Sequence, residues 1–102
     1  MVLLHDKYWQ RLRGDIIRLM IGETNTEMYD PVLVRLTPRI VEKGGKSYYC
    51  MLCNKYYDTY RSIFYHIATV HAEEVEEIAI RYRLEKLKKL GIVESISRGV
   101  RV

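Results

Sequence analysis

The chain has little cysteine: Cys50 and Cys53 are the only two in 102 residues. Two cysteines do not make the dense disulfide framework on which small secreted domains rely. No apolar run approaches the roughly 20 residues that cross a bilayer, and the first residues lack the order of a signal peptide. These absences set the expectation of an intracellular protein whose thiols stay reduced, with no membrane partner. Side-chain amides are scarce as well, with two Asn and one Gln against 30 charged residues. Few thermolabile amides and many charges are the composition expected of a hyperthermophile host. The glycine-containing run Lys43-Gly44-Gly45-Lys46 lacks the further residues of a phosphate-binding P-loop. His5 and the scattered carboxylates show no pairing of the kind acid–base catalysis needs, so no enzyme is expected.

What is present is a hydrophobic fraction of 48%, enough for a modest core, and a net charge of +4. The length fits one domain, residues 1–102. A positive balance favours anionic partners, nucleic acid first, although an ordinary solvated surface can carry the same charge.

The stretch that organises the chain runs from Tyr48 to His71. It contains Cys50-x2-Cys53-x12-His66-x4-His71, inside the ligand spacing of a structural zinc site. Two cysteines flanking a tight knuckle turn both sulfurs to one side. His66 and His71 are five residues apart, a little over one helical turn, and are expected on the same side of a helix. Two thiolates and two neutral imidazoles give a roughly neutral tetrahedral centre, and soft sulfur ligands exclude Mg²⁺ and Ca²⁺. Zinc is the expected cofactor. A redox Cys-x2-Cys would follow a strand and open a helix in a βαβ unit, and no such unit is visible.

At these residues the chain resembles the Cys2His2 zinc finger. The likeness extends to the aromatic two before the first cysteine (Tyr48), the aromatic four after the second (Tyr57) and the aliphatic three before the first histidine (Ile63). It implies an embedded ββα finger over residues 48–71, with those three side chains forming a small core under the metal. The family's base-reading positions fall on Thr59, Arg61, Ser62 and Tyr65, of which only Arg61 is a usual base reader. The basic linker that joins tandem fingers is absent; the acidic Ala72-Glu73-Glu74-Val75-Glu76-Glu77 stands in its place. The overall composition also looks like that of small basic proteins encoded by archaeal viruses, some with single zinc fingers. That likeness would put the protein in the host cytoplasm.

Elsewhere the pattern predicts an α+β fold. Residues 3–21 read as a helix, with Leu4, Tyr8, Leu12 and Ile16 on one stripe widened by Trp9, Ile17 and Met20, and Gly22 as its cap. Glu23 to Pro31 reads as a loop. Val32 to Val41 is rich in β-branched residues and reads as extended, Val32, Val34 and Leu36 sharing one face, with Pro38 at an edge or bend. Ile40-Val41-Glu42 and Ser47-Tyr48-Tyr49 flank the Lys-Gly-Gly-Lys turn as a hairpin. Asp58 and Thr59 are both able to cap the finger helix. Charge order, acid then base, suggests a further helix from near Ala72 to Leu90, although one helix from Thr59 to Leu90 is also compatible. The C-terminal residues, with Leu90-Gly91-Ile92-Val93 and a Gly99 turn, resemble the end of a winged helix-turn-helix; a plain terminal strand explains them too.

These features lead to three functional classes. The first is a zinc-stabilised nucleic-acid-binding protein, a transcriptional regulator acting on duplex DNA. Its contacts are assigned to Arg61 and to Arg81, Arg83, Lys86, Lys88, Lys89, Arg98 and Arg101. Those last seven basic residues against Glu85 and Glu94 give residues 79–102 a charge of +5. The second is a protein-interaction module using the tyrosines of the finger, with a homodimer or a protein partner. Catalysis is the third and weakest, because four protein ligands leave zinc no open position.

Overall fold

A computed structural model describes residues 7–89, with side chains as far as Lys88. The architecture is α+β: helices and a small antiparallel sheet around one continuous apolar cluster. Helix α1 spans Lys7–Met20 and buries Trp9, Leu12, Ile16, Ile17, Leu19 and Met20. Its stripe is rotated slightly from expectation: Trp9 is buried, whereas Tyr8 is exposed beneath the Arg83 guanidinium. The helix ends in a Schellman motif. Gly22 N–H donates to Leu19 O, Glu23 N–H donates to Arg18 O, and Gly22 takes the left-handed φ of 96° that such an end requires.

Residues 32–41 depart from the sequence expectation. Instead of a strand, Pro31–Leu36 forms a short helix, α2. Asp30 is its N-cap, Oδ1 accepting from Val32 N–H at 2.9 Å, and Pro31 occupies the first helical position, where a missing N–H costs nothing. This local signal overrides the β-propensity of Val32 and Val34. Val32 and its neighbour Leu33 are both buried, which a strand's alternation forbids and a helix face allows. Pro38 then holds Thr37 out of the helical region, at φ −98° and ψ 112°, and α2 stops.

The expected hairpin is present. Strands β1 (Val41–Gly44) and β2 (Ser47–Cys50) pair antiparallel, Val41 opposite Cys50 and Gly44 opposite Ser47, across a Gly45-Lys46 turn. Strand β3 (Lys55–Tyr57) adds to the other edge of β2, giving the order β1-β2-β3. One backbone bond ties this sheet to α1, Ile40 N–H to Met20 O at 3.0 Å; Met51 N–H to Ile40 O at 2.9 Å closes the open end of the hairpin.

The stretch from Thr59 onward is two helices with the break where the charge order puts it, near Ala72, and not one continuous helix. α3 spans Tyr60–Val70 and α4 spans Ala72–Lys89. Thr59 is the cap of α3, its side chain accepting from Ser62 N–H. On α4, Val75, Ile78, Ala79 and Tyr82 are buried at the helical spacing and pack against α1, α2 and α3. Ile16, Met20, Ile63, Ile67 and Val75 are almost wholly enclosed, so α3 shares one core with α1 and α4. Burying each such side chain is worth about 2 kcal/mol. The terminal strand and the winged-helix likeness, with Arg98 and Arg101, lie outside the described residues.

Candidate metal centre

The knuckle between β2 and β3 is four residues, Met51 to Asn54. It closes through Asn54 N–H donating to Cys50 O at 2.8 Å. Asn54 sits at φ 58°, a left-handed conformation that asparagine tolerates better than most residues. Its side-chain oxygen accepts from the Tyr49 hydroxyl, which fixes the turn from outside. The result is the expected one: both sulfurs are turned toward α3.

The histidines arrive differently from expectation. Five residues are about 1.4 helical turns, so an unbroken helix would splay His66 and His71 roughly 140° apart. The structure ends α3 first. His71 is the C-cap, with φ −109° and ψ 30°, and its carbonyl accepts from Val75 N–H to begin α4. The bend at His71 swings its ring over the cysteines. Nε2 of His71 lies 3.2 Å from Cys53 Sγ and 3.5 Å from Cys50 Sγ. The potential ligand atoms of Cys50, Cys53, His66 and His71 all lie within 4.8 Å of one another. Both imidazoles and Cys50 are buried.

The surroundings prepare these four groups for a cation. His66 Nδ1 is 2.9 Å from the Tyr57 hydroxyl, and the two rings stack. His66 Nε2 is buried with no hydrogen-bond partner among the described residues. An orphaned buried ring nitrogen costs on the order of 1–3 kcal/mol, and a metal at that position removes the penalty. With Nε2 as ligand, Nδ1 must carry the proton and donate to Tyr57, which fixes the tautomer and the ring plane. Burial, then His71 and Lys55, hold the His66 pKa below its ordinary value, so the ring stays neutral and free to ligate. Burial and the neighbouring Cys50 push the Cys53 thiol up, because two thiolates repel unless a cation lies between them. Glu74 Oε2 is 3.8 Å from His71 Nδ1, an orienting charge behind the second imidazole.

Tyr48, Tyr57 and Ile63 stand where the finger likeness puts them, Ile63 fully buried and the tyrosines half-buried against the core. The Tyr57 bond to His66 and the Glu74 contact were not expected; the i, i+3 spacing of His71 and Glu74 was the only signal for either.

The candidate nucleic-acid residues do not form one free face. Arg81 pairs with Glu77. The Arg83 guanidinium lies over the Tyr8 and Trp9 rings, 5.7 and 5.6 Å from their centroids. Lys86 Nζ is 2.8 Å from Asp30 Oδ2. Arg61, on the outer face of α3, and Lys88 are exposed. Arg98 and Arg101 lie outside the described residues, as does the Lys89 side chain. No family model, curated protein or solved structure matches the chain. Among the described residues no helix is long and apolar enough to cross a membrane.

Proposed function

We propose that the chain is a zinc-stabilised nucleic-acid-binding protein, with duplex DNA as partner and transcriptional regulation as role. The observation that carries the zinc assignment is the four-ligand cluster with its orphaned His66 nitrogen. Tetrahedral zinc, at about 2.3 Å to sulfur and about 2.0 Å to nitrogen, keeps such ligands about 3.5 Å apart, close to the distances from His71 to the two sulfurs. Cys50, Cys53, His66 and His71 would hold the ion, and it would supply folding energy rather than chemistry. With four protein ligands there is no position for an activated water, so the reading is non-catalytic.

Support for nucleic acid comes from the charge of +4 and from Arg61, which α3 presents outward without a carboxylate partner among the described residues. The test is fluorescence anisotropy of the zinc-loaded protein with labelled duplex, read against salt. Affinity should fall by orders of magnitude between about 50 and 200 mM salt if several phosphates are contacted. Binding too weak to measure at low salt rejects the reading.

A second reading, a protein-interaction surface, is favoured by one feature. Tyr56 and Tyr65 are 70% and 69% exposed, and Tyr56 packs with Tyr49 as a ring pair. Exposed tyrosines are common anchors of protein interfaces. Association through them should tolerate the salt that removes nucleic acid.

A further inference from the structure

A second feature of the molecule is lined by none of the four candidate ligands. Between the end of α1, the β1–β2 hairpin and the start of α3 is a cleft of about 290 Å³. Its cationic wall is Arg39 and Lys43, and its floor is Tyr48 and Tyr60, whose rings meet edge to face at 6.2 Å.

Arg39 is placed there by the fold. The next residue, Ile40, is bonded to the end of α1 through Met20 O. The guanidinium lies against Gly22, where a Cβ would stand 2.8 Å from its Nε. Neither Arg39 nor Lys43 has a carboxylate partner among the described residues; Lys43 lies over the Tyr48 ring instead, 5.9 Å from its centroid. Arg18, also in the wall, is held by Asp15. Burial keeps the Tyr60 phenol above its ordinary pKa, so it is a neutral hydroxyl able to donate. Two uncompensated cations on a concave, tyrosine-floored surface are the chemistry of an oxyanion site. Glu23 on the rim opposes it, its carboxylate accepting from Asn25 N–H.

We propose that this cleft is a phosphodiester-binding site, through which Arg39 and Lys43 grip the backbone of a nucleic acid. The inference rests on the nucleic-acid reading and gives it a second location beside Arg61 of α3.

The test uses the full zinc-loaded chain and a fluorescein-labelled 20-base-pair duplex, with anisotropy measured over a salt series. Arg39→Ala with Lys43→Ala should weaken binding at least tenfold at low salt and flatten the salt slope by about 2. Lys43→Ala alone, on an exposed strand position that does not threaten folding, should flatten it by about 1. Glu23→Gln should tighten binding several-fold, a gain that a merely structural role for these residues would not produce. Lys7→Ala with Arg11→Ala removes the same charge elsewhere and should change affinity less than threefold. Wild-type binding that survives in the Arg39/Lys43 variant, or that falls equally in the Lys7/Arg11 control, overturns the cleft and leaves the nucleic-acid reading standing. A wild type that binds no duplex overturns both.

Discussion

Helix α4 is held at both ends, by clamps of different chemistry. At its first residues it leaves the four-ligand cluster through His71. Three turns further on, Tyr82 and Lys86, four apart and so on one side of the helix, both reach Asp30. The Asp30 clamp is complete as it stands. Oδ1 caps α2, and Oδ2 accepts from the Tyr82 hydroxyl and the Lys86 ammonium, each at 2.8 Å. The four-ligand clamp is unfinished by protein groups alone: it holds an unpaired buried nitrogen and two thiols that resist ionising together, which a bound ion would satisfy. On the proposed reading one half of the molecule depends on a bound ion, while the other relies on burial and one carboxylate.

The comparison breaks first at the metal. Removing zinc should cost on the order of 10 kcal/mol of coordination and folding energy, by the measure of isolated fingers. Cys50, Ile63 and Ile67 share the core with Ile16 and Met20, so the loss should spread from the knuckle to the helices. Native protein should carry one zinc, and a chelator should collapse the melting transition seen by circular dichroism. Cys50→Ser should behave like the chelated wild type. An unchanged melt with chelator would refute the dependence.

The helical half breaks through its apolar face. Ile16 is fully enclosed, and Ile16→Ala should cost 2–5 kcal/mol, the usual range for emptying such a site. Unlike the cysteine change, it should leave the zinc content of the folded fraction at one per chain. Denaturant melts with metal analysis separate the two.

The Asp30 clamp is smaller, and its strength shows in the depressed carboxyl. Its three donors, Lys86 foremost, lower the Asp30 pKa from 3.8 to about 2. A carboxylate depressed on folding stabilises the folded state above its ordinary pKa. That contribution is lost as pH falls from about 4 toward 2. Lys86 is partly open to water, so screening limits the ion pair to less than about 1 kcal/mol. Asp30→Ala removes the cap as well and should cost about 1–2 kcal/mol at neutral pH. Asp30→Asn keeps a competent cap and should cost less. Equal losses in the two variants would assign the effect to charge instead of capping. Metal leaves its ligands in acid too, so these melts are read at neutral pH.

The same contrast explains what was legible in the sequence. The metal clamp announced itself because its spacing is local and its residue types are rare: two cysteines, two histidines and the Tyr48, Tyr57 and Ile63 core around them. The hairpin, the Thr59 cap, the Gly22 end and the Ala72 start were likewise written in short-range signals. The Asp30 clamp was not legible, since its partners lie 52 and 56 residues away. Helix α2 has a local signal, Asp30-Pro31 as cap and first position, which competes with the β-branched run that follows it. The basic cluster was legible only as composition. Its dispersal onto Glu77, Asp30 and the Tyr8 and Trp9 rings follows from packing that no spacing reveals.

The smallest effect sharpens the comparison from the opposite sign, at two glycines of one helix. Gly22 cannot be replaced cheaply, because its φ of 96° is left-handed. Gly14 lies mid-helix, where glycine is worse than alanine by about 0.5–1 kcal/mol. A Cβ at Gly14 would meet only the Arg18 guanidinium, 3.5 Å away, an ordinary contact with the movable end of a side chain. Gly14→Ala should therefore stabilise α1 by roughly that amount, and Gly22→Ala should destabilise the chain. If α1 belongs to the half that stands without the ion, the Gly14→Ala gain should persist in chelator as a higher helical signal. A gain that vanishes when zinc is removed would show that α1 folds only on the completed finger, and the two halves would then be one cooperative unit governed by the metal.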